Sequence, residues 1–357
     1  MSTKKGWDQK LMMSLFKKAA SYGAAITINA TNFCSITGHS DYDPEWGDTV
    51  ETDLDTVSGA EHSTTLDILT QGFKFSISQP RAKPNFVVGM MAGALGSITA
   101  TQDGAYTAYR QKIVPVTVGT PLPDFNIVGK KGGLQYLHKG CMVNSVGLTG
   151  EEGKPTSCEA EIIGAGDRVA DATGFVAEPS ESWMLQKNGY IWLETSTAKS
   201  IDAAATQGLE NISSGTPRDL KAVIKKVSYK HNNNLEGEFG YGAGNAGVFQ
   251  GMDYGRRTDE LSLDLRHVDG TDLDYYLNKT ILTLEFEVKG ALIAAGGAMY
   301  YGYDIIIPRF MLKKAPLPKG GVGDILTLPY ECEIQDDGTN PAVIFNGYCA
   351  QAAYFAA

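Results

Sequence analysis

Alternation of apolar and polar residues is the dominant pattern along this chain. Residues 73–78 (FKFSIS), 261–266 (LSLDLR) and 284–289 (LEFEVK) alternate without interruption. A period of two places one face of a strand against a core and the other face toward solvent or a partner. The pattern therefore predicts a mainly β protein whose strands carry many polar side chains on one face.

Helical patterns are few and short. Residues 84–95 (PNFVVGMMAGAL) begin with proline, which suits a first helical turn, and Gly96 follows them as a stop. Residues 272–279 begin with acidic and end with basic side chains, as the helix dipole favours. Residues 10–20 are a third candidate. The sequence thus predicts one short helix in each half of the chain.

The order of the predicted elements repeats. Each half opens with a strand, at residues 25–36 and 222–235, and a long irregular loop follows it, at residues 38–63 and 237–257. A strand, a short helix and four more strands come next. The predicted strands are 66–78, 112–118, 124–128, 139–148 and 156–163 in the first half and 258–267, 281–288, 304–312, 325–334 and 342–348 in the second.

This repeat divides the chain into two predicted units. The first covers residues 1–173 and the second residues 222–357, each with the order β-α-β-β-β-β. A connector at residues 174–221 carries one more strand near residues 190–194. Sequence identity between the units is negligible, so the repeat lies in the order of the elements.

The chain is acidic. Its 31 Lys and Arg are outnumbered by 41 Asp and Glu, which gives a formal net charge of −10. Proteins that grip nucleic acid by its phosphates need clustered Lys and Arg, so this balance argues against such binding. The longest uncharged stretch, residues 291–303, is too short to span a membrane. Residues 11–16 are too short for a signal-peptide core, and the five scattered cysteines are predicted to be reduced thiols of a protein made in a cytoplasm.

Motifs of enzymes and cofactor sites are weak or missing. Residues 242–247 (GAGNAG) match the dinucleotide fingerprint GxGxxG, but no helical pattern follows them, so a flexible glycine-rich loop explains them better. The five histidines show no HExxH spacing, and neither a GxSxG elbow nor a Walker loop occurs. The sequence therefore predicts no enzyme and no cofactor.

One loop concentrates the negative charge. Residues 19–73 contain no Lys or Arg, and the loop at residues 38–63 carries the carboxylates of Asp41, Asp43, Glu45, Asp48, Glu51, Asp53, Asp55 and Glu61. Three interpretations are open: a solvated loop, a calcium site at the Asp-x-Asp spacings, or docking on a basic surface. Trp46 is the candidate anchor for docking, because Trp is favoured at interface centres.

Basic residues that could receive this loop form two groups. The first group is Arg218, Lys221, Lys225, Lys226 and Lys230, and the second is Arg309, Lys313, Lys314 and Lys319.

A series of short matches, in a fixed order, links the chain to one family. The matches are Ile36-Thr37-Gly38, the acidic loop, the strand and helix of residues 73–96, Leu122-Pro123-Asp124-Phe125, Val143-Asn144-Ser145-Val146, Val227-Ser228-Tyr229, Asn232-Asn233-Asn234-Leu235-Glu236, Gly255-Arg256-Arg257 and Ile307-Pro308-Arg309-Phe310. Together they resemble the major tail tube proteins of bacteriophages with long, non-contractile tails. Their order over most of the chain, rather than any single match, carries the resemblance.

The resemblance implies a tube domain that is β-sandwich-like or barrel-like, with one flanking helix, duplicated in this chain. In that family rings stack into a hollow tube through which genomic DNA leaves the capsid, and the long loop reaches a neighbouring subunit or ring. Members with one tube domain form hexameric rings and members with two form trimers, so the repeat favours a trimer. Tape measure, tail terminator and tail tip proteins are the expected partners, and no membrane is involved.

The resemblance also gives the acidic residues expected roles. Docking is expected of the acidic loop with Trp46, together with Arg256, Arg257, Lys313 and Lys314. Asp264, Glu285 and Glu287 alternate along strands and are candidates for carboxylates that face the lumen, where like charge would keep DNA from adhering. The sequence leaves open whether they face the lumen or a neighbour.

Two other interpretations stay open. The chain could be another β-rich virion component, such as a tail terminator or a capsid decoration protein, which predicts discs or shells in place of tubes. It could also be a cytoplasmic ligand-binding or enzymatic β protein built around residues 237–257, which predicts a discrete pocket.

Overall fold

The described part of the protein is an antiparallel β structure with two short helices. The computed structural model describes residues 9–53, 65–117, 119–195, 207, 217–239, 248–295, 297–336 and 338–357. The elements up to residue 170 are β1 (Gln9–Met13), β2 (Cys34–Ile36), β3 (Glu45–Trp46), β4 (Thr49–Asp53), β5 (Thr65–Thr70), β6 (Phe73–Gln79), α1 (Pro84–Leu95), β7 (Gly96–Gln102), β8 (Tyr109–Pro115), β9 (Phe125–Lys131), β10 (Leu134–Glu151), β11 (Ser157–Gly164) and β12 (Arg168–Ala170). The later elements are β13 (Leu185–Glu194), β14 (Arg218–Asp219), β15 (Ile224–Asn232), β16 (Leu235–Phe239), β17 (Phe249–Tyr254), β18 (Thr258–Arg266), α2 (Thr271–Leu277), β19 (Leu282–Leu292), β20 (Tyr300–Leu312), β21 (Thr327–Ile334) and β22 (Ile344–Cys349).

Two long layers run across the whole chain. The first layer has the strand order β3–β6–β11–β10–β15–β18–β21. The second layer has the order β7–β8–β22–β20–β19–β13–β14. Each layer therefore joins strands from before residue 174 to strands from after residue 221, and the connector strand β13 extends the second layer.

The two layers face each other across one apolar core. Leu148, Val227 and Leu261 of the first layer lie opposite Leu284 and Ile305 of the second. The alternating strands explain this arrangement, because β18 and β6 turn every second residue inward and leave the others exposed. A smaller sheet, β2–β1–β9–β10–β12, branches from the first half of the long strand β10.

Helix α1 fills the first half of the core. All of its residues are buried, which explains why its sequence is apolar around the whole circumference. It ends at Gly96, whose φ of 87° is a left-handed conformation that glycine adopts without steric cost. Residues 84–95 are thus a helix, as the sequence predicts, and α2 is the second short helix.

The segment at residues 10–20 corrects one prediction. It is not a helix: β1 pairs with β2 and β9 there. Leu11, Met12 and Met13 are all buried, because this strand is covered on both faces. A short apolar run of this kind has the same sequence pattern in a buried strand and in a helix.

The two long loops also differ from the prediction of irregular structure. The first contains β3 and β4, and β4 pairs with β5 to form a separate two-stranded hairpin. The second contains most of the hairpin β16–β17. The strand predicted at residues 66–78 is broken into β5 and β6 at Gly72, whose carbonyl accepts a hydrogen bond from the Gly47 N–H at 3.1 Å. The absence of side chains at both residues allows this close approach.

The outer face of the second layer is a buried polar network. Arg110 donates to Asn346 Oδ1 at 3.0 Å, and Asn346 donates to Asp304 at 2.7 Å. Tyr348 donates to the other oxygen of Asp304 at 2.9 Å. Burial raises the pKa of Asp304 from its usual 3.8 to about 6, although these hydrogen bonds favour the charged form.

A pH-dependent cost follows from the buried Asp304. Because its folded-state pKa is raised, its contribution to stability is greatest below about pH 4 and falls as the pH rises to about 6. We expect Asp304→Asn to flatten this slope and to raise the free energy of unfolding at pH 7 by up to about 3 kcal/mol relative to wild type. Urea unfolding at pH 4 and pH 7 measures how the free energy of unfolding changes with pH. Asp274→Asn, at an exposed position on α2, is the control. An equal change of the free energy of unfolding between the two pH values in both variants would contradict the prediction.

Candidate functional site

The exposed side of the first layer is a continuous polar surface, here called the polar face. It consists of Lys74, Ser76 and Ser78 on β6, Ser157, Glu159 and Glu161 on β11, Ser145, Gly147, Thr149 and Glu151 on β10, Lys226, Ser228, Lys230 and Asn232 on β15, Thr258, Glu260, Ser262, Asp264 and Arg266 on β18, and Thr327, Pro329, Glu331 and Glu333 on β21. All of these residues except Ser145 are exposed or half-buried. The other side of the same strands forms the core.

Small side chains and carboxylates dominate the polar face. One row of paired residues crosses the layer from β6 to β21 and consists of Ser78, Glu159, Gly147, Lys230, Glu260 and Glu333. Carboxylates outnumber Lys and Arg, and Lys74 is bound to Glu161 at 3.3 Å. A shallow depression of about 360 Å³ is lined by serines together with Glu159, Glu161 and Lys230. The surface is hydrophilic, weakly acidic and continuous over both halves of the chain.

The predicted lumen candidates separate in the structure. Asp264 lies on the polar face and is half-buried. Glu285 and Glu287 do not lie on the polar face. They belong to the second layer, on the side away from the core, and are 0% and 1% exposed. Their alternation with apolar residues is real, but the side of β19 that carries them is covered as well, so neither side chain lies on an exposed surface of this chain. Alternation predicts two faces and does not predict which face is covered.

Trp46 and Asp48 of the acidic loop contact residues elsewhere in the same chain. Asp48 accepts two hydrogen bonds from Arg168, at 2.7 and 3.1 Å. The Arg168 guanidinium lies over the Trp46 ring at 4.2 Å, and Tyr136 contacts the ring edge-on at 5.7 Å. Trp46 is nevertheless 44% exposed. The tryptophan is thus held rigidly while one side of its ring remains open to solvent.

The other acidic-loop residues take different positions. Asp43 binds Lys131 at 2.9 Å, and Asp41 and Glu45 are exposed. Tyr42 between them is buried, and its hydroxyl lies 2.6 Å from Nε2 of His138. Glu51 and Asp53 belong to β4, where the register places Glu51 opposite Asp67. Asp55 and Glu61 lie outside the described residues.

The second hairpin, β16–β17, is also acidic. Its apolar side packs on Leu122 and Met142. Its other side presents Glu236, Glu238 and Asp253, which are exposed. Of the predicted docking residues that follow it, Arg256 is exposed, and Arg257 donates to the carbonyl of Val116 at 2.7 Å.

Four of the nine predicted basic partners form ion pairs within the chain. Lys313 and Lys314 bind Glu333 and Glu331 at 3.0 and 2.7 Å, although both lysines are more than half exposed. Arg218 binds the buried Asp272 at 2.5 Å, and Lys221 binds Asp219. The exposed pairs of Lys221, Lys313 and Lys314 contribute little to stability and exchange readily for other partners, whereas the pair of Arg218 with the buried Asp272 is not of this kind.

Metal ligation, thiol reactivity and membrane insertion are three further properties that the described part of the chain allows to be assessed. There, no group of three His, Cys, Asp or Glu side chains is placed to hold a metal ion. The five cysteines are buried and unpaired, and burial raises the pKa of each thiol, which disfavours the reactive thiolate. Neither described helix has the length and apolar character of a membrane span.

Sequence reasoning missed most of the polar face. Glu159, Glu161, Glu260, Glu331 and Glu333 are as exposed as or more exposed than Asp264. Each of these glutamates alternates with apolar residues along its strand, as Asp264 does on β18. The missing signal was strand pairing, which places β11 and β21 in the same layer as β18.

A comparison with protein families agrees with this architecture. The model of the family described as phage tail tube protein matches residues 49–334, which is most of the chain. A comparison with curated proteins finds no match. The matched region contains the polar face, both helices and both hairpins. The chain therefore belongs to the phage tail tube proteins, the structural proteins that build the tube of the virion tail.

Proposed function

We propose that this chain forms closed rings, that the rings stack into the tail tube, and that the polar face lines the lumen. The observation that carries the proposal is the continuous polar face, which extends over both halves of the chain without an apolar patch. DNA that passes through the lumen would contact hydroxyl groups and an excess of carboxylates on the polar face. Because carboxylates outnumber Lys and Arg on this face, like charge keeps the phosphates of the DNA from binding.

A trimeric ring fits the arrangement of the two halves. A separate acidic hairpin precedes the strand and helix in each half: β4–β5 precedes β6 and α1, and β16–β17 precedes β18 and α2. A strand pair follows each helix, β7–β8 and β19–β20. These correspondences support two fused tube domains, at residues 1–173 and 222–357, with residues 174–221 between them. Three such chains would surround the lumen with six related units.

The edges of the first layer provide the joints of the ring. On one side, the described residues that cover β6 are the two residues of β3 and the loop before β3. On the other side, β21 is partly covered by the last residues of β20. Exposed strand edges are a liability in a monomer and become contacts when copies associate head to tail.

The remaining parts of the proposal concern partners and activity. The tube would enclose a tape measure protein before DNA release and would be closed by terminator and tip proteins. The chain would be synthesised in the bacterial host, would act in the virion tail and would perform no catalysis.

Electron cryomicroscopy of assembled protein tests the proposal directly. We expect hollow tubes of stacked trimeric rings with Glu159, Ser262 and Asp264 facing the lumen. A ring of six complete chains would contradict the trimer, and a polar face on the outside of the tube would contradict the lumen assignment.

Trp46 gives a second, biochemical test. Its ring is fixed by Arg168 and Tyr136 and is open on one side, so we expect it to anchor a contact with another copy. Trp46→Ala should leave the monomer folded and weaken self-association by about tenfold or more, as is typical of a central Trp in an interface. Sedimentation velocity measures the association.

Trp183→Ala is the matched control for this test. Trp183 is 46% exposed and also carries an arginine over its ring, Arg81 at 4.4 Å. An equal loss of assembly in both variants, or no loss in Trp46→Ala, would remove the assignment of Trp46 as an anchor.

A further inference from the structure

Two strands from opposite halves of the chain meet in the second layer. Strand β8 belongs to the first half and β22 to the second, and their register places Lys112 directly opposite Asn346. Directly opposite residues of an antiparallel pair point to the same face, with Cβ atoms about 4.5–5.5 Å apart. The neighbouring Ile113 and Phe345 belong to the core. Lys112 and Asn346 therefore lie side by side on the face of the second layer that is turned away from the core.

The side-chain amide of Asn346 is held at both of its polar atoms. Arg110 Nε donates to its Oδ1 at 3.0 Å, and its Nδ2 donates to Oδ1 of Asp304 at 2.7 Å. Tyr348 donates to the other oxygen of Asp304 at 2.9 Å. Asn346 and Asp304 are 0% and 1% exposed. The amide carbon, Cγ, is thus fixed in position and shielded from solvent.

These contacts have the polarity that activates an amide for attack by an amine. The Arg110 guanidinium donates to the oxygen that becomes negative when a nucleophile adds to Cγ. The Asp304 carboxylate contacts the nitrogen that has to be protonated before it can leave, so it is placed to move a proton there. Burial raises the pKa of Asp304 to about 6, so its carboxylate is a stronger base than that of an ordinary aspartate.

The amine opposite this amide is that of Lys112. Its ammonium group has to lose a proton before the nitrogen can attack, and burial together with the charge of Arg110 lowers the pKa of Lys112. The long flexible stem of a lysine can carry Nζ across the spacing between two neighbouring strands. Arg110 therefore acts on both partners, because it favours the neutral amine and polarises the amide.

We propose that Lys112 and Asn346 form an isopeptide bond within the chain. The lone pair of the neutral Lys112 Nζ adds to Cγ of Asn346, and Arg110 stabilises the negative charge that develops on Oδ1. Asp304 takes a proton from Nζ and passes it to Nδ2. The bond between Cγ and Nδ2 then breaks, ammonia leaves, and Cγ remains joined to Nζ. No oxidant, metal or further reactant is needed, and Asp304 ends in the protonation state in which it began.

The bond would close the chain where its two halves meet. Arg110 and Asn346 are 236 residues apart in sequence, so a link beside them encloses most of the chain. Such a link restricts the unfolded chain and opposes separation of β8 from β22. In a virion tail it would keep the two halves together under mechanical load. The bond forms within one chain and does not require that rings or tubes assemble.

Mass spectrometry of the denatured wild-type chain tests the bond. We expect the main species to be lighter than the sequence mass by one ammonia, about 17 Da. Tryptic digestion should yield one branched peptide that contains both Lys112 and Asn346. Asn346 is followed by Gly347, and ring closure of Asn346 on the Gly347 backbone nitrogen would also release ammonia. That product leaves the two peptides separate and would overturn the proposal, as would a wild-type chain of full sequence mass.

Lys112→Arg keeps the positive charge and removes the nucleophile. This variant should have its full sequence mass. In denaturing gel electrophoresis it should migrate more slowly than wild type, because a chain closed by the link is more compact when unfolded. Lys289→Arg is the matched control, since Lys289 lies in the same layer opposite Gly302, and the link should form in it as in wild type. Loss of ammonia from Lys112→Arg would overturn the proposal, because the nucleophile would then be another group.

Asp304→Asn tests the proton carrier. An amide can still form a hydrogen bond at this position but cannot accept the proton, so we expect the link to form more slowly by about a hundredfold or more. The mass of the purified variant, followed during incubation, measures the rate, and an unchanged rate would overturn the role of Asp304. The urea comparison of Asp304→Asn with wild type, described above, is then made with Lys112→Arg in both chains, so that neither is linked.

Discussion

Asn233→Ala should lower the free energy of unfolding by about 3–5 kcal/mol, which is a large fraction of the stability of a typical protein. Asn233 is fully buried. Its Nδ2 donates to the carbonyls of Ala94 and Val143, at 3.0 and 3.1 Å, and its Oδ1 lies 3.1 Å from Nε2 of His231. One side chain thus links the end of α1, strand β10 and strand β15.

The cost arises because alanine removes the donor to the Ala94 and Val143 carbonyls and the partner of His231 Nε2, all inside the protein. Each unsatisfied polar group costs about 1–3 kcal/mol. His231 is held on its other side by Asp259, 2.8 Å from Nδ1, so the ring cannot turn away without breaking a second contact. The connection between the two halves of the first layer should therefore loosen.

Urea unfolding of the unassembled chain, followed by circular dichroism, measures this effect. Asn278→Ala is the control, since Asn278 is exposed at the end of α2, and it should change the free energy of unfolding by less than about 0.5 kcal/mol. A loss below about 1 kcal/mol in Asn233→Ala would show that the buried amide is not a structural link.

Replacing Glu159 and Glu260 by Lys should convert the lumen from a surface that DNA passes into one that DNA binds. Both residues are exposed on one row of the polar face, with Gly147 of β10 and Lys230 of β15 between them. The two substitutions would place three cations on that row in each chain, repeated around every ring. Binding of a short duplex to assembled tubes should rise by about tenfold or more and fall steeply with added salt, because phosphate contacts release counterions.

Fluorescence anisotropy of a labelled duplex measures this binding at several salt concentrations. Asp41→Lys with Asp274→Lys is the matched control, because both residues are exposed, the change in net charge is the same, and neither lies on the polar face. Equal DNA binding by the two variants would show that the polar face has no special access to DNA, and the lumen assignment would then be lost.

Secondary structure was partly predictable from the sequence. The mainly β character and the helix at residues 84–95 are confirmed, because strict alternation and a proline-to-glycine boundary are local signals. The helix at residues 10–20 was wrong because an apolar run gives no periodicity where a strand is buried on both faces. The hairpins within the two long loops were missed, since turn-rich and charged strands carry a weak pattern.

The candidate site was predictable only in part. Trp46 is exposed and Asp264 lies half-buried on the polar face, and their own neighbours in sequence suffice to suggest a position outside the core. The burial of Glu285 and Glu287, and the intrachain pairing of Asp48 with Arg168, depend on residues that are distant in the chain.

The sequence by itself determined the alternation of each strand, the two short helices, the acidic balance and the family resemblance, because each depends on neighbouring residues or on their order. The tertiary structure alone decided which alternating faces share one surface and which charges remain unpaired. It did so through strand pairing: residues on β6, β11, β10, β15, β18 and β21 become neighbours only when backbone hydrogen bonds fix their register. That register places the polar face on one side of the layer and both hairpins at the same end of it.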